Sequence, residues 1–341
     1  SGNPQSLSDN GIRSIYEDQA GMLWIGTMGG GLNKLDRTTG RFTRYLQDPD
    51  DPYSVSNNAI LSFCEDQSGA FWIGTMDGLN RLDRATGRFS RWGYEPENPF
   101  SLSHNTIPSI YEDRSGVVWI GTYGGGLNRF DRATGKFSHI SDKDGLPNNV
   151  IYGILEEKDG SLWMSTNRGI TRFQPNATPD AAIRNFDVRD GLQGNEFNRG
   201  AYLKSRNGEM FFGGMGGLNA FHPELVTANP YIPPVVITNL RLFNSPAPID
   251  PNGFSILRKS IVETDSLVLS YDQSVISFDF AAMHFAHPER NQYAYMMEGF
   301  DKDWVYAANK RDVTYTNLDP GTYSFRVKGS NSDGVWNENG V

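Results

Sequence analysis

Ser14-Ile15-Tyr16-Glu17-Asp18-Gln19-Ala20-Gly21-Met22-Leu23-Trp24-Ile25-Gly26-Thr27 is the stretch on which the reading of this chain turns. Its closing tetrapeptide returns as Trp72-Ile73-Gly74-Thr75, Trp119-Ile120-Gly121-Thr122 and Trp163-Met164-Ser165-Thr166, then in degraded form as Phe211-Phe212-Gly213-Gly214. The leading aromatics are spaced by 48, 47, 44 and 48 residues. A tryptophan-centred period in the forties marks a β-propeller array, with one four-stranded blade per repeat. In the first repeat Ile12–Glu17 and Met22–Thr27 alternate in polarity, and Leu32–Asp36 and Arg41–Tyr45 follow across short turns. Four strands in so few residues leave no room for helical crossovers. Gly21, Gly69, Gly116, Gly160 and Gly208 each stand three residues before the tryptophan or its equivalent, where a tight hairpin needs a positive φ.

Composition agrees with many short strands. The 341 residues, about two domains' worth, include 37 Gly, 18 Pro and 42 aromatic residues. A net charge of −9, from 31 basic and 40 acidic residues, argues against nucleic acid or an anionic membrane surface as partner. No apolar run approaches the roughly 20 residues of a membrane helix. The single cysteine, Cys64, excludes an internal disulfide and a cysteine-clustered zinc site, and its place in a first strand reads as a buried small hydrophobe.

The expected fold is all-β: propeller repeats over 1–228 (about 10–56, 57–103, 104–147, 148–194 and 195–228), a Pro-rich linker at 229–234, and a β-sandwich of fibronectin III kind over 235–341. The fifth repeat has no counterpart of Arg41–Tyr45 and so lacks an outer strand. Asn3-Pro4-Gln5-Ser6-Leu7-Ser8 matches Asn98-Pro99-Phe100-Ser101-Leu102-Ser103, which trails such a strand; five repeats are therefore read as a fragment of a larger ring. In the C-terminal part strands are expected at Ser266–Ser270, Val275–Phe280, Gln292–Met297, Arg311–Thr316 and Thr322–Gly329, with the last sandwich strand missing and a tyrosine corner at Leu318–Tyr323.

Asn10, Asn58, Asn105 and Asn149 each precede their tryptophan by 14 residues; turn formation is the simplest reading, a ring of amides at the channel mouth the alternative. In the fifth repeat this position is Phe197, so that blade breaks the pattern. Asp18, Asp66, Asp113 and Glu157, six residues before the tryptophans, are expected to satisfy hairpin amides rather than act as acid–base pairs, and the tryptophans to fill the wedge between blades. Asp48-Pro49-Asp50-Asp51-Pro52 reads as a solvated loop, with calcium on its clustered oxygens the alternative, and His284 and His287, three apart, would face opposite sides of an extended chain. No cofactor or metal is expected. Departures from the repeat make better site candidates than its regular positions: Asn195, Glu196, Asn198 and Arg199 offer amide, carboxylate and guanidinium groups on one loop for a small polar ligand, with Asn149 at the mouth and Trp92 and Tyr94 as a stacking surface.

With Ser14–Asp18, Trp24–Thr27 and Gly31-Leu32-Asn33 repeating, the chain resembles the two-component regulator propeller family, and Tyr293, Tyr295, Tyr315, Glu298–Asp301 and Trp304 resemble the triple-tyrosine domain that follows such propellers. The resemblance implies an extracytoplasmic, periplasmic or cell-surface sensor region of a bacterial receptor. Its membrane helix and its histidine kinase or diguanylate cyclase would lie beyond these residues. It further implies a small polar ligand such as an oligosaccharide, the net charge of −9 weighing against a polyanionic glycan, with a homodimer in the full receptor and no catalysis in this part. A protein-interaction platform, or a propeller lyase or glycoside hydrolase using Glu196, are the alternatives.

Overall fold

The computed structural model describes residues 5–178, 182–252 and 255–341. The chain divides into two compact units, Ser1–Val226 and Thr227–Val341.

The first unit is a row of antiparallel meanders. Strands β1 (Ile12–Glu17), β2 (Leu23–Thr27), β3 (Leu32–Asp36) and β4 (Arg41–Tyr45) form one sheet in chain order. The second sheet is β5 (Ile60–Glu65), β6 (Phe71–Thr75), β7 (Leu79–Leu82) and β8 (Phe89–Trp92); the third is β9 (Ser109–Glu112), β10 (Val118–Gly121), β11 (Leu127–Phe130) and β12 (Phe137–Ile140). The fourth comprises β13 (Ile151–Glu156), β14 (Leu162–Thr166), β15 (Gly169–Phe173) and β16 (Ile183–Phe186). The fifth has three strands, β17 (Phe197–Lys204), β18 (Met210–Gly214) and β19 (Gly217–Phe221), so the expected loss of its outer strand holds. The first strands of successive sheets pack side by side and line the axis.

In the first four blades the hairpin is pinned by one buried carboxylate. Asp66 Oδ1 accepts from the Ser68 and Ala70 amides at 3.0 and 2.9 Å, as the turn reading expects. Its other oxygen accepts the indole N–H of Trp72 at 2.7 Å, and the same bond joins Trp24 to Asp18 (2.8 Å), Trp119 to Asp113 (2.7 Å) and Trp163 to Glu157 (3.0 Å). The indoles then pack on rings of the following blade: Trp24 on Phe71, Trp72 on Phe130, Trp119 on Phe173 and Trp163 on Phe221, with centroids 4.9–5.7 Å apart. Glycine in the tetrapeptide is a close-approach residue. A Cβ at Gly74 would come within 2.4 Å of the Ile107 carbonyl of the next blade.

Hydrogen bonds and ion pairs tie the blades at both ends of the strands. At one end the Gly31, Gly78 and Gly126 amides donate to the carbonyls of Asn58, Asn105 and Asn149. At the other, the Gln19 and Gln67 amides donate to Glu65 and Glu112, and Arg84 and Arg132 reach back to Asp18 and Asp66 of the preceding blade. Ile12 is 46% exposed, whereas Ile60, Ile107 and Ile151 at its place in the next blades are 0% exposed. Leu218 is 61% exposed where Leu32, Leu79 and Leu127 are 0%. The blades thus form an arc whose first and last faces are uncovered. Of the Asn3–Ser8 motif, Asn3 and Pro4 lie outside the described residues; Gln5 presents its carbonyl to the Phe42 amide, as Tyr53 does to Phe89 and Phe100 to Phe137.

The second unit is a sandwich of two four-stranded sheets. One is ordered β21 (Ser245–Pro246), β20 (Val235–Leu242), β22 (Val275–Ala282) and β25 (Asp312–Thr316); the other β24 (Val305–Ala308), β23 (Tyr293–Glu298), β26 (Ser324–Ser330) and β27 (Trp336–Asn337). Two expectations need correction. Ser266–Ser270 is not a strand: Leu267 and Leu269 alternate onto the core, but no ladder bonds form there. The last strand is not missing altogether, since β27 pairs with β26 and Val341 exchanges both backbone bonds with Val327. The tyrosine corner forms, with Tyr323 Oη donating to the Asp319 carbonyl at 3.0 Å. Residues 229–234 are strapped to this unit, the Asn229, Tyr231 and Pro233 carbonyls accepting from Asn331 and Asn337.

Burial pushes the Asp18, Asp66 and Asp113 carboxyls up, and their indole, hydroxyl and amide donors outweigh it, leaving each below the usual aspartate range. A depressed folded-state pKa contributes stability that is present above the unfolded value of about 3.9 and is lost as pH falls through the folded value. Asp66→Ala should lower stability by about 2–4 kcal/mol, and the wild-type loss below pH about 4 should be blunted in that variant, both read by thermal melts. Burial pushes the Cys64 thiol up to about 12, so native protein at pH 8 should resist iodoacetamide and become alkylated only on unfolding, read by mass spectrometry.

Candidate functional site

The ring of asparagines resolves into architecture. Asn58, Asn105 and Asn149 each accept, through Oδ1, the amide of the residue leaving the preceding blade: Gln47 at 2.8 Å, Tyr94 at 2.6 Å and Asp142 at 2.7 Å. Asn195 does the same for Val188 at 3.2 Å, and its carbonyl accepts the Gly169 amide as the other three carbonyls accept theirs. The fifth repeat therefore keeps its asparagine, two places further from the aromatic than in the other repeats. Phe197 stands where Ile60 and Ile151 stand, pairing with Gly214 as they pair with Thr75 and Thr166.

Two inserted residues explain the shift. In the second and fourth blades a single residue, Leu61 or Tyr152, bulges between the first two ladder pairs; in the fifth, pairing jumps from Phe197–Gly214 to Tyr202–Phe212. Asn198-Arg199-Gly200 fills the place of that single residue, on the axial strand, at the end where the first strands begin. The Glu196 carboxylate and the Asn198 amide are exposed there, and neither makes a hydrogen bond or ion pair among the described residues. Arg199 is half-buried and likewise has no carboxylate partner among them, unlike Arg84, Arg132 and Arg172.

Around this bulge lie groups that counting along the chain did not single out. Tyr152 is buried with its ring 6.0 Å from that of the half-exposed Tyr123. Burial, the Tyr123 hydroxyl and the Glu196 charge push the Tyr152 phenol up to about 12, against the pull of Arg199. Burial, with the charge of Arg13, holds Arg199 below its ordinary value. Asn167 Oδ1 and both polar atoms of the Gln193 side chain are buried without hydrogen-bond partners among the described residues. Gln193 lies against Gly214, where a Cβ would come 2.0 Å from Nε2; glycine in place of the threonine of the other repeats makes that room.

The other candidates are placed elsewhere. Trp92 is half-buried, tilted on Trp72 and edge-on to Phe130, both at 5.5 Å, and so belongs to the packing between the second and third blades. Tyr94 is exposed on the second blade's exit and not on the fifth blade's axial strand. Asp48 and Asp51 turn their carboxylates onto the Asp50 and Tyr53 amides. His284 is buried between Asn229 and Asn291.

The two-component regulator propeller model matches residues 6–29, 54–77, 101–124 and 145–168, and the Y_Y_Y domain model matches 284–340. This chain carries two-component regulator propeller repeats and a Y_Y_Y domain. Histidine kinase P4 of Formosa agariphila is 35% identical over 195 residues, which are 57% of this chain and 14% of that protein. The extracellular domain assigned to a hybrid two-component system of B. thetaiotaomicron is 23% identical over 97% of this chain and 49% of its own, with a TM-score of 0.46. A second, assigned to a one-component system of B. thetaiotaomicron, is 25% identical over 99% and 49%, with a TM-score of 0.47. The chain thus spans a small part of the curated relative and about half of each of these solved domains.

If the insertion serves a site and not the propeller, deleting Asn198 and Arg199 together should leave the melting temperature within about 4 °C of wild type, or about 1 kcal/mol. Circular dichroism melts check this; a collapsed melting temperature would make the bulge structural.

Proposed function

We propose that this chain is the extracytoplasmic sensing region of a bacterial transmembrane two-component receptor, on the periplasmic or cell-surface side. Its propeller binds a small polar ligand, an oligosaccharide in our reading, at the axial mouth formed by the fifth-blade bulge. The observation that carries the ligand site is the set of unspent polar groups there, Glu196, Asn198 and Arg199 beside the Tyr123–Tyr152 pair, in a scaffold whose recurring polar side chains are bonded to one another. Aromatic rings flanked by amide, carboxylate and guanidinium groups suit hydroxyl-rich molecules, rings stacking and polar groups orienting. The repeat family and the histidine kinase relative support the receptor context.

Signalling then rests on differential affinity: a ligand that prefers one arrangement of the receptor, a homodimer in this reading, shifts its population by that difference and no more. The second unit passes the change towards a cytoplasmic kinase.

A thermal-shift screen of the 341-residue protein against neutral and acidic oligosaccharides tests the reading. A ligand at about 100 times its Kd stabilises by about 2.7 kcal/mol, so a concentration-dependent rise of several degrees is expected. That rise should shrink in Glu196→Ala and Asn198→Ala. An undiminished rise in both variants, or none with any saccharide, would overturn the site.

A further inference from the structure

A groove of about 590 Å³ lies on the outer part of the third blade, lined from β11, β12 and the turn between them, from the β9–β10 hairpin and from the connection that arrives from the second blade. We infer that it is a second binding site, for a small amphipathic anion: a carboxylate or sulfonate carried on a flat apolar body. The groove sits at the end of the strands opposite the axial mouth, and its ligand is independent of the one proposed there. Its volume falls in the range of small-molecule sites, roughly 300–1,000 Å³. The apolar part of the lining is built from the buried rings of Phe130 and Phe137, whose centroids are 5.0 Å apart, the half-buried Val117, and Phe100, which is 52% exposed.

A break in the repeat sets the charge of the occupant. The third-strand residue paired with the tryptophan is a cation in each of the first four blades: Lys34, Arg81, Arg129 and Arg172. Lys34, Arg81 and Arg172 lie over their own blade's indole, 5.5, 5.9 and 6.0 Å from the ring centroid. Arg129 makes no such contact among the described residues. It is exposed and lines the groove, and its guanidinium has no hydrogen bond or ion pair among them. The Lys136 ammonium stands 4.5 Å from the centroid of Phe100 and has no carboxylate partner among them either. Asp131 is the carboxylate of the lining, and its two oxygens are engaged by the Ala133 amide and the Thr134 hydroxyl, both at 2.8 Å. Arg132 is already matched by Asp66 and Glu112. Two uncommitted cations thus stand against one committed carboxylate, beside an exposed ring. A guanidinium fork and an ammonium suit the oxygens of an anion, and a flat apolar body displaces water from the face of Phe100. An inorganic anion would leave that ring wet, and a neutral apolar molecule would leave both cations unanswered, so the site calls for the two features in one molecule.

The test is fluorescence and calorimetric titration of the full 341-residue chain with anilinonaphthalene sulfonate and with phenylnaphthylamine, the same aromatic body without the sulfonate. The sulfonate should bind at least about tenfold more tightly than the neutral amine at low salt, and the margin should narrow as salt is raised from about 0.05 to 0.5 M. Arg129→Gln and Lys136→Gln should each weaken the sulfonate by about threefold or more and leave the amine unchanged. Phe100→Ala should weaken both dyes, and all three variants should melt within about 2 °C of wild type. Arg88→Gln, whose guanidinium lies over Tyr53 at the corresponding place in the second blade, should change neither affinity. Equal affinity for the two dyes overturns the anionic half of the inference. Affinities untouched by the three groove variants, or lowered as much by Arg88→Gln, overturn the site, and so does failure of both dyes to bind. None of these outcomes bears on the axial mouth, which is read with saccharides and the Glu196 and Asn198 variants.

Discussion

The bond from a tryptophan indole to a carboxylate six residues earlier is the constraint on which the propeller depends. It places a negative charge in a site nearly closed to water, which only satisfied oxygens make tolerable. Asp66 meets that condition with Trp72, two turn amides, a serine hydroxyl and Arg132 of the next blade. A single side chain thereby sets the hairpin, orients the large ring that fills the wedge, and anchors the neighbour. The fifth blade confirms the coupling by losing both partners. Phe211 replaces the tryptophan and Ser205 the carboxylate, so no indole N–H is left to satisfy and no charge is left buried. A blade that kept one of the pair without the other would bury an orphan.

A scaffold that uses its recurring polar groups internally confines function to what does not recur. Legibility followed the same line. The first-repeat strands, the hairpin glycines and the missing outer strand could be read from alternation and punctuation, because those signals are local. The asparagine register could not. Counting back 14 residues from the aromatic finds Phe197, because the two residues inserted at the bulge lie inside the counted interval. The structural equivalent is fixed by hydrogen bonds to the preceding blade, which no count along one repeat contains. Asn195 thus passes from candidate to scaffold, while the insertion that displaced it gains weight as a site.

Two other positions show what a local pattern leaves out. Leu267 and Leu269 alternate as a strand would, and both reach the sandwich core, but alternation reports which way side chains point and not whether a neighbouring strand offers a ladder. Trp92 looked available because it lies near a connection between blades. Its packing against Phe130 of the third blade is a contact between repeats, invisible in the period. At both positions the local pattern does not carry its tertiary partner.

Net charge illustrates how a whole-chain quantity can misdescribe a site. Each blade is a meander, so the turns after its first and third strands fall at one end, opposite the axial mouth. Asp18, Asp66, Asp113 and Glu157 sit in the first set of turns, and Asp36, Asp83 and Asp131 in the second, where they accept from Thr39, Thr86 and Thr134 hydroxyls. These seven carboxylates recur because the turns need them, and arginines of the same or the next blade meet four of them or their neighbours. Screening over about 8–10 Å at physiological salt leaves charges there little influence at the opposite end of the strands, where Asp9 and Asp77 take the Gly11 amide and the Asn105 side chain. A sum of −9 therefore does not decide the charge of any one site, and the sign of a ligand has to be argued from the groups it would touch.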